Sequence, residues 1–235
     1  MLKCKKQVMG DGSMELILIR HGESQHNLGS SSSWDSPLSD RGAEQAAQAA
    51  RALINLQLDL DMIYSSPMRR AVHTASLIGS HLNLRPRLWV DLAEHGLCWE
   101  ETGISRTELS ASYSNIDLTD RIDEEGWARH WTSETLEQLA ERMSGAAGRL
   151  KEMAASEQVK AIACIIHGKS GNELLRHLLG IPDGRGVYFH HHNCGITRLI
   201  LQPDGIVNLL AVNESNHLVG LVEPFLSNIT MPAYR

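Results

Sequence analysis

The sequence lacks any apolar run long enough to cross a membrane as a helix. It also lacks a basic excess: 22 lysines and arginines stand against 28 aspartates and glutamates, a formal net charge of −6. No broad positive field is available to hold a nucleic-acid backbone, so any anion site must be a local concentration of cationic side chains. Cysteine is scarce and scattered. Cys4, Cys98, Cys164 and Cys194 form no CxxC pair. In a chain of 235 residues this argues against a disulfide framework and for reduced, buried thiols. Residues 1–13 are polar, with Lys3, Lys5 and Lys6, and lack the apolar centre of a signal peptide. They read as a disordered arm, or an added remnant, ahead of a start at Met14. Internal repeats and heptad runs are missing too. A cytoplasmic protein is the expectation, with no nucleic-acid or membrane partner and an oligomeric state that the sequence leaves open.

What is there is an ordinary globular composition, 42% hydrophobic and 21% charged. Apolar runs of strand length alternate with helical stretches. Strands are expected at 14–19, 58–64, 87–90, 159–166, 188–191, 196–202 and 206–212. Helices are expected from a cap at Asp40 to about Leu56, at 67–81, from a Thr132 or Ser133 cap to about 155, and at 169–179. Residues 91–131 are irregular, with one short helix near 106–113, and read as a cap-like insertion. This alternation predicts an α/β fold: a three-layer sandwich with a mainly parallel central sheet flanked by helices, forming a single domain over 14–235.

Two strands in that pattern end alike. The run Leu16-Ile17-Leu18-Ile19 is followed by Arg20-His21-Gly22-Glu23, and the run ending at Ile166 is followed by His167-Gly168. Parallel strands of one sheet would bring both histidines to the carboxyl edge, where open α/β sheets bind ligands. A third strand-to-helix junction supplies Ser66-Pro67-Met68-Arg69-Arg70-Ala71. Helix N-termini at these junctions would add unpaired N–H groups and positive dipole ends. Two imidazoles, two or more guanidiniums and such N-termini make a phosphate pocket.

These segments resemble the histidine phosphatase superfamily, the branch that also holds cofactor-dependent phosphoglycerate mutases. The matching stretches are Leu18 to Ser24, Ser36 to Ala46, Ser65 to Ala75, Ile166 to Gly168 and the run ending in His217-Leu218, in the family's order. The resemblance implies a phosphoglycerate mutase-like fold. It implies that His21 takes the phosphoryl group and that Arg20, Arg70 and His167, with Gly168 beside it, hold the phosphate oxygens. Arg70 rather than Arg69 is the match, since it directly precedes Ala71. The family's general acid is a glutamate beyond the arginine helix; Glu94 stands there, with Glu100 and Glu101 as rivals. Asn27 matches a phosphate-holding asparagine and also reads as a plain turn residue.

The chemistry of those roles is coherent. A neutral imidazole is a good nucleophile near pH 7. Phosphoryl transfer spreads charge over three equatorial oxygens, which fixed guanidiniums can hold. No metal or other cofactor is called for, because arginines and imidazoles supply the charge. The run His190-His191-His192 has too few neighbouring ligands for a structural zinc site and reads as lining for the phosphate edge or as exposed. Three functions compete: a phosphatase acting on a small phosphorylated substrate through phosphohistidine, a phosphoglycerate mutase, and a non-catalytic phospho-ligand module. Glu94 to Gly103 lacks the tyrosine-glycine segment that mutases carry after the acid, which favours hydrolysis. Acidic residues between Glu100 and Glu125 suggest that singly phosphorylated substrates outperform bisphosphates.

Overall fold

Met14–Arg20 forms β1, buried along almost its whole length. Leu16 and Leu18 meet one face of the sheet, Ile17 and Ile19 the other, which is why the run is apolar at every position. A computed structural model describes residues 12–96, 101–128, 133–156, 158–181 and 187–222. Asp40–Asn55 is α1, Met62–Ser65 β2, Arg69–Leu82 α2 and Arg87–Leu88 β3. A 3-10 turn at Val90–Leu92 leads to Arg106–Ser112, α3. Leu136–Ala155 is α4, Ala161–Ile166 β4 and Gly168–Leu178 α5. Ile196–Leu201 and Val207–Glu214 are β5 and β6, followed by a 3-10 turn at Asn216–Leu218.

The sheet order is β3-β2-β4-β1-β5-β6. The first four strands are mutually parallel, whereas β5 runs antiparallel to both β1 and β6. Helices cover both faces. α1 and α2 pack small residues (Ala46, Ala49, Ala50, Ala71, Ala75) against Ile17, Ile19, Ile63 and Ile165. On the opposite face α4 and α5 pack Leu139, Met143, Leu150, Leu174 and Leu175 against Leu16, Leu18, Ile162 and Ile166. A third cluster joins Met68 and Val72 to Ile104, Leu109, Ile122 and Trp127, seating the α3 segment on α2.

Three helix starts or caps move, β2 begins at Met62 rather than at residue 58, and one expected strand is absent. Ser39, not Asp40, caps α1: its hydroxyl accepts the Gly42 N–H at 3.0 Å. The α4 cap is Thr135, in a capping box with Gln138 that starts the helix beyond Ser133. The helix expected from Pro67 begins at Arg69, with Met68 as its cap residue. Residues 188–191 are not a strand. Their polar backbone atoms serve side chains instead: Phe189 N–H donates to Asn172 Oδ1 at 2.8 Å and His191 carbonyl accepts from Arg20 Nη1 at 2.7 Å. Residues 1–11, Cys98, Trp99, Glu100, Trp131 and Thr132 lie outside the described residues.

Candidate active site

Register builds the site. β1 and β4 pair with Arg20 opposite Ile166, and β2 and β4 pair with Ser65 opposite Ile165. His21, His167 and Ser66 therefore leave adjacent strands at the same edge. The two imidazoles come together with ring centroids 4.9 Å apart. Both are essentially buried, His21 3% exposed and His167 fully enclosed.

Each ring is oriented by the backbone or by a hydroxyl. His21 Nδ1 lies 2.7 Å from the Gly22 carbonyl oxygen. A carbonyl only accepts, so Nδ1 carries the proton and Nε2 keeps its lone pair. Arg70 Nε donates to that Nε2 at 3.1 Å. His167 Nε2 meets Ser66 Oγ at 2.7 Å, leaving its buried Nδ1 without a partner among the described residues. Arg20 Nε is likewise buried and unpartnered. Buried groups left over at a strand edge are open to a ligand or a water.

The loop that carries His21 has no room to move. Gly22 N–H donates to Thr74 Oγ1 at 3.0 Å, and Glu23 N–H donates to Gln45 Oε1 at 2.8 Å. A Cβ on Gly22 would stand 2.4 Å from the Gly42 carbonyl oxygen, and one on Gly42 would stand 2.0 Å from that of Glu23. The two backbones touch, so both positions exclude a side chain. Asn193 Nδ2 closes the other side by donating to the His21 carbonyl at 2.9 Å.

Electrostatics follow from burial among cations. Desolvation, then Arg70 and Arg20, holds the His21 imidazole well below its ordinary value. Burial and then Arg70 do the same to His167. His191 is lowered to about 4, chiefly by burial and next by Arg20. The unfolded chain protonates these side chains near 6.5, so below about that pH it binds more protons than the fold does. Stability is full above this point and is expected to fall below it, by about 1.4 kcal/mol per pH unit for each such histidine. For His191 the loss runs down to about pH 4. Urea midpoints between neutral and acidic pH check this, and a His191→Gln variant should show the shallower slope.

Glu94 sits at the N-terminus of α5. Its Oε1 accepts the Ser170 N–H at 2.9 Å and the His95 N–H at 2.9 Å, and its Oε2 accepts the Lys169 N–H at 3.1 Å. Asp35 plays the same part on α2, where Oδ1 accepts the Arg69 N–H at 2.7 Å. The two helix N-termini expected to hold phosphate thus hold carboxylates from elsewhere in the chain.

The remaining expectations divide. Arg70 is buried and turned inward, with Nη1 on the Trp34 carbonyl at 2.5 Å, whereas Arg69 forms a fork with Glu108 on α3. Glu101 is tied to Ser33 Oγ at 2.6 Å, away from the histidine pair's hydrogen-bond network. Asn27 Oδ1 accepts from Ser24 N–H and Oγ at 3.1 and 3.0 Å, so the turn role is filled, and Asn193 Nδ2 lies 3.4 Å away. His217 braces the Cys194 carbonyl at 3.0 Å. Cys164 and Cys194 are buried and free, the former thiol pushed up to about 12 by burial. Asp117 is paired with Arg85 at 2.8 Å, which weakens the argument that cap carboxylates repel polyanions. Sequence reasoning placed Ser66 at this edge without giving its hydroxyl a role, and it assigned no side-chain role to Asn193, Trp34 or Tyr188. The Tyr188 hydroxyl and Glu94 Oε2 both lie about 4 Å from where a Gly168 Cβ would stand.

The histidine phosphatase superfamily (branch 1) model matches residues 16–214. The chain belongs to this superfamily. Glucosyl-3-phosphoglycerate phosphatase from Mycolicibacterium vanbaalenii is 31% identical over 174 residues, 71% of this chain and 75% of that protein. The 2,3-bisphosphoglycerate-dependent phosphoglycerate mutase of Treponema pallidum is 33% identical over 107 residues; the match spans only 43% of this chain and 41% of the mutase. Among solved structures, Entamoeba histolytica phosphoserine phosphatase, crystallised with 3-phosphoglyceric acid, is 25% identical with a TM-score of 0.61, covering 87% of this chain and 99% of that one. Superfamily membership and the sheet order agree, and both bear out the expected α/β fold. Among the described residues no helix is long and apolar enough to cross a membrane, and no cluster of three or more histidines, cysteines or carboxylates is placed to hold a metal ion.

Proposed function

We propose that this chain hydrolyses a small phosphomonoester through a phosphohistidine on His21. The observation that supports it most is the His21 tautomer. Nδ1 is committed to the Gly22 carbonyl, Nε2 keeps its lone pair, and Arg70 Nε lies 3.1 Å from that atom. In this reading the Arg70 Nε–H passes from Nε2 to a phosphate oxygen as substrate binds, which frees the lone pair; Nε2 then attacks phosphorus in line, and the ester oxygen departs from the opposite side. Arg20 Nε–H, the Arg70 guanidinium, the Gly168 N–H and His167 Nδ1–H take the three equatorial oxygens. The Ser66 hydroxyl selects the last of these donors, since donating to His167 Nε2 leaves the ring proton on Nδ1. Asn27 contributes its remaining amide N–H group. Glu94 protonates the leaving alkoxide and then takes a proton from the water that cleaves the phosphohistidine. Of about four lone-pair positions on its carboxylate, three are engaged, and the one left is on Oε2, beside Gly168.

Hydrolysis is favoured over mutase chemistry by the breadth of the phosphatase likeness, 71% of the chain against 43% for the mutase. The names of the relatives point to small phosphorylated acids as the substrate class. The deciding assay measures inorganic phosphate released from phosphoserine and 3-phosphoglycerate without bisphosphoglycerate, with and without EDTA. Steady release in both conditions is expected. Negligible release there, with fast phosphoryl transfer between the 2- and 3-positions of glycerate once 2,3-bisphosphoglycerate is added, would assign the chain to the mutases instead.

A further inference from the structure

The wall that carries Glu94 is held from another helix. Glu94 follows a single 3-10 turn, closed by Leu92 N–H on the Trp89 carbonyl and Ala93 N–H on that of Val90. One such turn has weak hydrogen-bond geometry and little rigidity of its own. Arg142, in the first half of α4, supplies what is missing. Its Nη1 donates to the Asp91 carbonyl at 2.6 Å and to the Ala93 carbonyl at 2.9 Å. Its Nε and Nη2 form a fork on Glu134, at 2.7 and 2.6 Å. Glu134 Oε2 also meets His95 Nδ1 at 3.3 Å. The backbone just before Glu94 and the side chain just after it therefore belong to one clasp.

The clasp is enclosed, with side-chain exposures of 11% for Arg142, 7% for Glu134 and 13% for His95. A buried ion pair is poor evidence of net stability, because desolvation offsets much of the attraction. Its planar fork does fix direction, which a lysine ammonium would not. Proton transfer to a leaving oxygen is sensitive to such direction, since a misplacement of about 1 Å costs on the order of 10² in rate.

We propose that Arg142 and Glu134 are positioning residues that aim the Glu94 carboxylate at the leaving-group oxygen. This rests on the reading of Glu94 as proton donor, so Glu94→Gln serves as the reference. Two esters separate the roles. The p-nitrophenolate of p-nitrophenyl phosphate departs without a proton, whereas the alkoxide of glycerol phosphate needs one. Loss of a proton donor therefore slows the alkyl ester far more than the aryl ester. Arg142→Met and the near-isosteric Glu134→Gln are expected to reproduce that imbalance. The kcat/KM on glycerol phosphate, which reports the step in which the leaving group departs and not the water step that both esters share, should drop about tenfold or more, and that on the aryl ester less than about threefold. Arg142→Lys, which can still reach the two carbonyls, should recover part of the loss.

Equal losses on both esters, or no loss on either, overturn the proposal, since a plain structural brace affects the two alike. The proposal also falls if neither Arg142→Met nor Glu134→Gln folds. Imbalance in Glu94→Gln without imbalance in the clasp variants removes the clasp alone. Balanced rates in Glu94→Gln remove the proton-donor reading, and the clasp with it.

Discussion

A His21→Ala variant is expected to accept no phosphoryl group and to lose turnover by on the order of 10⁴-fold or more, as when a covalent nucleophile is deleted. Neither the neighbouring imidazole nor the buried thiols are placed to take over. His167 is engaged with Ser66 through Nε2, and in the proposed tautomer its Nδ1 carries the ring proton. The buried thiols Cys164 and Cys194 are both raised by burial, which keeps them protonated and unreactive. Labelled phosphate transferred from substrate and trapped at alkaline pH, where phosphohistidine survives, gives the direct readout. The wild-type protein should carry acid-labile label and the alanine variant none. Label of equal amount in the variant would place the phosphoryl group elsewhere and end the covalent mechanism as written.

The second large effect belongs to Arg70. Its Nε–H reaches His21 Nε2 and its Nη1 reaches the Trp34 carbonyl, so one planar group spans the nucleophile and the loop opposite. Arg70→Ala is expected to lower kcat by on the order of 10²–10³, the usual cost of removing one charge-stabilising donor. Arg70→Lys should regain little, because an ammonium cannot donate in two fixed directions. Affinity for vanadate, a five-coordinate phosphate mimic, should fall in parallel with kcat. Lysine activity near the wild-type level would show that charge alone matters and that the guanidinium geometry does not.

Much of this site is legible in the chain itself. His21 and His167 each follow an apolar run and precede a glycine, and the unbroken apolar character of those runs marks them as central strands buried on both faces. The family resemblance picks Arg70 over Arg69 by its place beside Ala71, and the structure turns Arg70 inward and Arg69 toward Glu108. Glu94 is one of three candidates by sequence. The fold brings it onto α5 and ties Glu101 to Ser33, while Glu100 lies outside the described residues. Ser66 stands at the edge by sequence, but the partner of its hydroxyl and the contact of the Asn193 amide have no local signal. A hydroxyl that meets an imidazole 101 positions away, or an amide that holds a carbonyl 172 positions away, has no periodicity to betray it. The supposed strand at 188–191 misleads for the complementary reason: its composition suits a strand, yet its backbone polar atoms are claimed by Asn172 and Arg20.

The amino-acid order alone determined the layer architecture and the edge at which the two imidazoles emerge, because apolar patterning and strand-end glycines are local properties of the chain. Only the packed molecule decided what occupies the helix N-termini. Asp35 and Glu94 take the Arg69, Lys169 and Ser170 amides, so the proposed phosphate donors are Arg20, Arg70, His167 and the Gly168 N–H, because hydrogen-bond partners are settled by which surfaces meet. The same holds for the Arg142 clasp, where α4 reaches backbone that lies about fifty positions earlier in the chain.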